Sequence, residues 1–366
     1  MSDHAFLPPS GAAAWIACSM WPHMNARYPQ DDTPQSMEGT AAHWVAAELL
    51  EGREVVVGQV TPQGYVVDDE MIEGATLYAD TARIIEGDHN IEKRIRIPFV
   101  HEHNWGTPDD YVFDDSGFNL TIMDFKYGHE HVDVFENWQL INYSAGLTGA
   151  LNGLDDQHTT VNFCIVQPRS YQTGGPVKWW TVKASDLRPY YNKLQTAAAK
   201  VFAPDPKATV GPQCKHCPGR HACNSLQSAA MQIADVSMAG VPIDMPPAAL
   251  GLELRNLKRA ASLLNARISG LESQAEAMLR RGDRVPFFAL QQEYGRLRWT
   301  LPNDAIFAIG DSLGVDLRKP NEAITPTQAK KVIDESVIKI YSERPLGSAQ
   351  LTQVDDTTAR KIFGHN

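Results

Sequence analysis

The chain has 366 residues, 43% hydrophobic and 21% charged, which places it among globular proteins and excludes disordered and fibrous classes. Its length is a prior for two domains. Net charge is −11, at first sight a poor match for a nucleic-acid partner. The charge is unevenly spread: residues 1–250 carry 16 basic against 30 acidic side chains, residues 251–366 carry 17 against 14. An acidic front half either repels phosphate or holds divalent cations that reverse the local field.

The first twenty residues have Asp3 where a secretory signal would be basic, and prolines interrupt their apolar run. No apolar stretch approaches the ~20 residues needed to span a bilayer. The expectation is a soluble, cytoplasmic protein without membrane contact. Residues 36–51 and 70–86 read as helices, and 92–99 (EKRIRIPF) alternates like a half-buried strand. Residues 105–128 then form two strand-like runs around Asp114-Asp115-Ser116-Gly117, a hairpin signal. Helices over 135–151 and 185–201 bracket strands at 159–167 and 177–182. A Pro/Gly-rich stretch follows, and 250–282 reads as one long helix. The expected division is 1–230, a linker 231–250, and a mostly helical accessory region 251–366. The expected fold class is α/β, a mixed sheet flanked by helices.

A two-residue turn at Ser116-Gly117 pairs positions whose numbers sum to 233, so Asp109 falls opposite Asp124. Lys126 shares the face of Asp124, with Phe125 on the other side, and Asp110 points away. Two carboxylates that close repel unless a proton or cation sits between them. Such hard oxygen ligands suit Mg²⁺ or Mn²⁺, and a lysine beside them suits phosphodiester hydrolysis. An ordinary surface ion pair between Asp124 and Lys126 is the competing reading. Glu92 opens the strand before the hairpin as an extra carboxylate, while Glu48 lies off the face of His43.

A disulfide framework belongs to small secreted domains, which this chain does not resemble, and Cys214, Cys217 and Cys223 within ten residues point to a metal instead. They offer three soft ligands, and by spacing alone zinc, completed by His216 or His221, and an iron–sulfur cluster are equally matched. Cys164 sits in an apolar run and reads as a small core residue. Lys93, Arg94, Arg96, Lys215, Arg220, and Arg296 and Arg298 beside Trp299 are candidate phosphate contacts. The 250–282 helix has an apolar stripe suited to packing on its own chain or on a second one. No phosphate loop is present, so the chain is not itself a motor.

Gly106-Thr107-x-Asp109, Asp124-x-Lys126 and Gln139-x-x-x-Tyr143 together resemble the PD-(D/E)XK nuclease superfamily in its RecB-like branch, and GTAAHWVAAELL around His43 is similar to the histidine segment that precedes that core. The resemblance runs from roughly residue 10 to 228 and is closest in layout to phage-encoded members. It implies a restriction-endonuclease-like core, with His43, Asp109 and Asp124 as Mg²⁺ or Mn²⁺ ligands and Lys126 as the catalytic lysine. Gln139 would orient the site and Tyr143 support it. Iron–sulfur members, such as AddB and the CRISPR-adaptation Cas nucleases, have one cysteine before the core and three after it. Cys18 with Cys214, Cys217 and Cys223 matches that layout and implies a [4Fe–4S] cluster in preference to zinc. The implied activity is DNA exonuclease cleavage in phage-type recombination, alongside a single-strand annealing or single-strand-binding protein. A structure-specific endonuclease or a non-catalytic adaptor are its rivals.

Overall fold

The computed structural model describes residues 5–29, 33–114, 118–149, 158–170, 175–237 and 246–290. Two short helices, α1 (Ala12–Ala17) and α2 (Trp21–Arg27), precede α3 (Pro34–Leu50) and α4 (Asp69–Arg83). Strands β1 (Asp88–His89), β2 (Ile95–Arg96), β3 (Trp105–Gly106), β4 (Asp110–Phe113) and β5 (Asn119–Phe125) follow. Then come α5 (Trp138–Gly149), β6 (Thr160–Val166), β7 (Val177–Lys183), α6 (Arg188–Val201), α7 (Asn224–Ser237) and α8 (Pro247–Arg280). The main sheet has the order β1-β4-β5-β6-β7, with β5 and β6 parallel and the other neighbours antiparallel. Fold class is therefore mixed α/β with helices on both faces.

Strand β5 explains both layers. Its side chains alternate, so Leu120 and Ile122 enter the cluster with Leu140 and Ile141 of α5 and Leu194 of α6. Met123 and Phe125 enter the opposite cluster with Ala42 and Val45 of α3 and Met71 and Tyr78 of α4. A strand buried on both faces needs the continuous apolar run that NLTIMDF supplies, which makes its single aspartate conspicuous.

The helices start where side chains satisfy their free amides. Thr33 Oγ1 accepts from the Ser36 amide at 3.1 Å and the Ser36 hydroxyl accepts from the Thr33 amide at 2.9 Å, with Pro34 in the first turn of α3. Asp68 accepts from the Met71 amide at 2.8 Å to open α4. Asn137 Oδ1 accepts from the amides of Gln139 and Leu140 at 3.1 and 3.3 Å, so α5 begins at Trp138 rather than at the expected 135.

Two expectations are corrected. The strand over 92–99 shrinks to Ile95–Arg96, which pairs with Trp105–Gly106 in a small sheet of its own. Pro98 has no amide to continue a ladder, and a turn closes there, with the Val100 and His101 amides donating to the Ile97 carbonyl. The division of the chain falls between Arg281 and Gly282, not within 231–250. Helix α8 buries Leu263 and Ala266 with Cys214 and Leu226, so it belongs to the first unit. Of the second unit, Gly282–Asn366, only residues 282–290 are described; Arg296, Arg298 and Trp299 lie outside the described residues. No helix among the described residues is long and apolar enough to cross a membrane.

Candidate active site and cysteine centre

The observed pairs Asp110–Met123, Tyr111–Ile122, Val112–Thr121 and Phe113–Leu120 all sum to 233, the expected register. Extended by one step, it brings Asp109 to the end of β5 beside Asp124. Asp109 is fastened through both oxygens: Oδ2 accepts from the Phe125 amide at 2.6 Å, and Oδ1 lies 2.9 Å from His43 Nδ1. Helix α3 carries His43 over this end of the sheet, its ring edge-on to Phe125 with centroids 5.6 Å apart.

Asp124 is nearly enclosed, its side chain 4% exposed. Its Oδ1 accepts from Gln139 Nε2 at 2.8 Å and from Lys126 Nζ at 3.1 Å, and the same ammonium donates to Gln139 Oε1 at 3.0 Å. The three side chains thus close a ring. Asp124 Oδ2 is 2.9 Å from the ammonium yet makes no hydrogen bond. A buried carboxylate oxygen is costly unless something cationic faces it, and the Lys126 ammonium does so here. One turn along α5, Tyr143 donates to the Thr107 carbonyl at 3.0 Å, and its ring lies so close to Gly106 that a Cβ there would sit 3.0 Å from it. That contact and the Pro9 ring, 2.9 Å from the same point, account for the glycine of the G-T-x-D run.

The electrostatics follow from burial and proximity. Burial works against the His43 imidazolium, but the Asp109 charge and hydrogen bond outweigh it and hold the pKa above its ordinary value. Burial works against the Asp109 carboxylate too; His43, Lys126 and the Phe125 amide bring it below its ordinary value. Burial pushes Asp124 up despite Lys126. Lys126 is held up, the loss of hydration being outweighed by Asp124 and Asp109.

Glu92 joins this group more closely than its place in the sequence implies. One ligand atom each from His43, Glu92 and Asp109 lie within 4.8 Å of one another, the separation a single bound ion requires. The Glu92 backbone is left-handed, φ 48°, and its amide donates to the Asp109 carbonyl at 3.0 Å. That conformation is unfavourable for a residue with a Cβ and is held here by its surroundings. Although the residue as a whole is exposed, its carboxyl is sunk against the site; that burial, and then the charges of Asp109 and Asp124, push its pKa to about 7. The tight set is therefore His43, Glu92 and Asp109, with Asp124 turned to Lys126 and Gln139. Asp110 points away to His89 Nδ1 at 2.5 Å, and Glu48 pairs with Arg53.

Cys18, Cys214, Cys217 and Cys223 line one pocket, with Met20, Met24 and Leu226 among its apolar walls. Cys18 Sγ accepts from the Thr209 amide at 3.4 Å and Cys214 Sγ from the Gly211 amide at 3.5 Å. Burial raises the Cys214 thiol and pushes Cys217 to about 11, so ionised sulfur there calls for a cation. Neither histidine completes the set: His216 is exposed beside Glu130, and the His221 ring lies edge-on to Tyr28. Four thiols remain, a donor set that suits Cys₄ zinc or [4Fe–4S] equally. Cys164 is buried within β6, away from this pocket.

The basic residues divide. Lys93, Arg94 and Arg96 are exposed on the segment that follows Glu92, with Arg94 stacked 4.2 Å over Trp105. Lys215 is paired with Glu130 at 2.8 Å. Arg220 is engaged within the fold: it donates to the Cys217 carbonyl at 3.2 Å and to Ser269 and Ser273 on α8 at 3.4 Å. Residues 4–359 match the family model DUF2800, described as a protein of unknown function, and the chain belongs to that family.

Proposed function

We propose that this protein is a divalent-metal-dependent DNA exonuclease of the PD-(D/E)XK type, acting in the cytoplasm in phage-type recombination or DNA processing. The observation that carries this reading is the ring of Asp124, Lys126 and Gln139 closed against the Asp109–His43 pair at one strand end. A structural ion pair has no need of a second enclosed carboxylate, a histidine and a strained glutamate at the same point.

The donor set fits Mg²⁺ or Mn²⁺: carboxylate oxygens from Asp109 and Glu92 and the imidazole of His43, with Asp124 beside them as a further carboxylate. When bound, the cation supplies charge against the phosphate and makes water acidic enough to attack at neutral pH. Lys126 brings a fixed positive charge to where oxyanion charge develops, and Gln139 holds that ammonium in place. Asp109 cannot swing out, because the Phe125 amide fixes it. Lys93, Arg94 and Arg96 support contact with the sugar–phosphate chain, and Arg94 on Trp105 suits a single-stranded end. A single-strand annealing or single-strand-binding protein is the proposed partner.

The cysteine pocket is proposed to hold a [4Fe–4S] cluster that fastens the N-terminal helices to the end of the nuclease domain. Anaerobic purification with iron and sulfide analysis and visible absorption distinguishes this from zinc. Colourless protein carrying one zinc would reverse the assignment.

The test of function is cleavage of end-labelled linear and circular DNA, single- and double-stranded, with Mn²⁺ or Mg²⁺. Release of label from linear DNA alone supports the exonuclease. Cutting of circles makes it an endonuclease, and binding without cutting makes it an adaptor. Glu92→Gln should weaken Mn²⁺ binding about tenfold, measured by calorimetry, without lowering the melting temperature of the metal-free protein, because it removes a carboxyl crowded by Asp109 and Asp124. Unaltered binding would remove Glu92 from the ligand set.

A further inference from the structure

Helix α8 carries two faces. Leu263, Ala266 and Gly270 are its buried side, with Gly270 so close to the cysteine segment that a Cβ would lie 2.7 Å from Arg220 Cγ. At 100° per residue, a second row lies roughly 150° around the helix from that side. Leucine recurs there every seventh residue, at Leu250, Leu257, Leu264 and Leu271, with Leu254, Ala261 and Ile268 in the intervening positions. This is a heptad seam with leucine at every d position, about 32 Å long at 1.5 Å per residue.

The seam faces solvent. Leu250, Leu254, Leu257, Ile268 and Leu271 are between 36% and 58% exposed. Scattered exposed leucines are ordinary, but a continuous row of this length marks an interaction surface. The charges beside it name the occupant. With Leu250 at d, Glu253 takes g and Lys258 takes e of the next heptad, the two positions that meet across a parallel two-stranded coil. Twofold symmetry gives that attraction twice. Arg267 and Glu272 repeat the g–e relation with the signs exchanged, although Arg267 also donates to the Arg220 carbonyl at 3.2 Å. An antiparallel coil sets g beside g and e beside e, and would leave Glu253 and Lys258 without each other.

We infer that α8 is the seam of a parallel coiled-coil dimer formed with a second copy of this chain. The inference rests on the helix alone and is independent of the nuclease reading. Light scattering on the full-length, cofactor-loaded protein should give twice the chain mass at micromolar concentration. Leu257→Glu should weaken self-association at least about a hundredfold by placing a charge at the centre of the seam, with an unchanged far-ultraviolet dichroism signal. Glu253→Lys and Lys258→Glu should each weaken it about tenfold, because each creates like-charged pairs. Mixed in equal amounts, these two single variants present opposite charges to each other and should recover a dimer of wild-type strength. A wild-type monomer at every concentration would overturn the inference and leave the seam to another partner. So would a dimer that survives Leu257→Glu. Failure of the mixed variants to recover would overturn the parallel register.

Discussion

Lys126→Ala is expected to slow DNA cleavage by about a thousandfold under single-turnover conditions, with DNA binding changed by no more than a few-fold. The magnitude is that of removing one preorganised charge from an enclosed site. The same ammonium also neutralises Asp124, whose side chain is 4% exposed. Its loss should therefore reduce stability by about 1–3 kcal/mol, less than for a fully buried pair because the lysine retains some contact with water. The two effects separate in a double-mutant cycle. Asp124→Asn with Lys126→Met removes both charges and should regain most of the stability while remaining inactive. Cleavage by Lys126→Ala within a few-fold of wild type would leave the Asp124–Lys126 pair as architecture alone.

The second large effect is expected from Cys18→Ser. Cys18 comes to the pocket from the distant start of the chain, and a ligand bond there closes a loop of about 200 residues, for which chain entropy alone is worth about 5 kcal/mol. Loss of the bound group and a fall of about 3–5 kcal/mol in unfolding free energy should follow, measured by metal analysis and denaturant titration on one preparation. Cys164→Ala is the control, since that thiol is buried in β6 and lines no part of the pocket. It should retain the full metal content. Equal loss from both variants would mean that Cys18 contributes packing rather than ligation.

How much of this was legible beforehand differs from residue to residue. The meeting of Asp109 with Asp124 follows from a turn position and strand arithmetic, and the pairing from Asp110–Met123 to Phe113–Leu120 keeps that register. Lys126 follows from the two-residue period of a strand, and Gln139 from one helix face. Glu92 is harder to read, because its place depends on a left-handed residue and a turn, and alternating EKRIRIPF argues instead for a regular strand. The inward role of Arg220 was hidden for a similar reason: charge in a short loop reads as solvent-facing until α8 is seen packed across it. The heptad period of α8 is visible in the sequence, whereas which of its faces is left uncovered is a property of tertiary packing.

The pocket of four cysteines also sets an order of assembly. Every strand of the main sheet lies between residues 88 and 183, and the helices that cover its two faces are complete by residue 201. The cysteine pocket must wait for Cys223, and the clasp of α8 across it for residues beyond 260. During synthesis the sheet can therefore condense with α1 already docked, since Ala12 and Trp15 share its core, while the cysteine segment is still open, and closure of the pocket comes last. A cell short of the bound group would accumulate chains with a formed sheet and an open cysteine segment, a substrate for proteolysis there rather than a source of misfolded core.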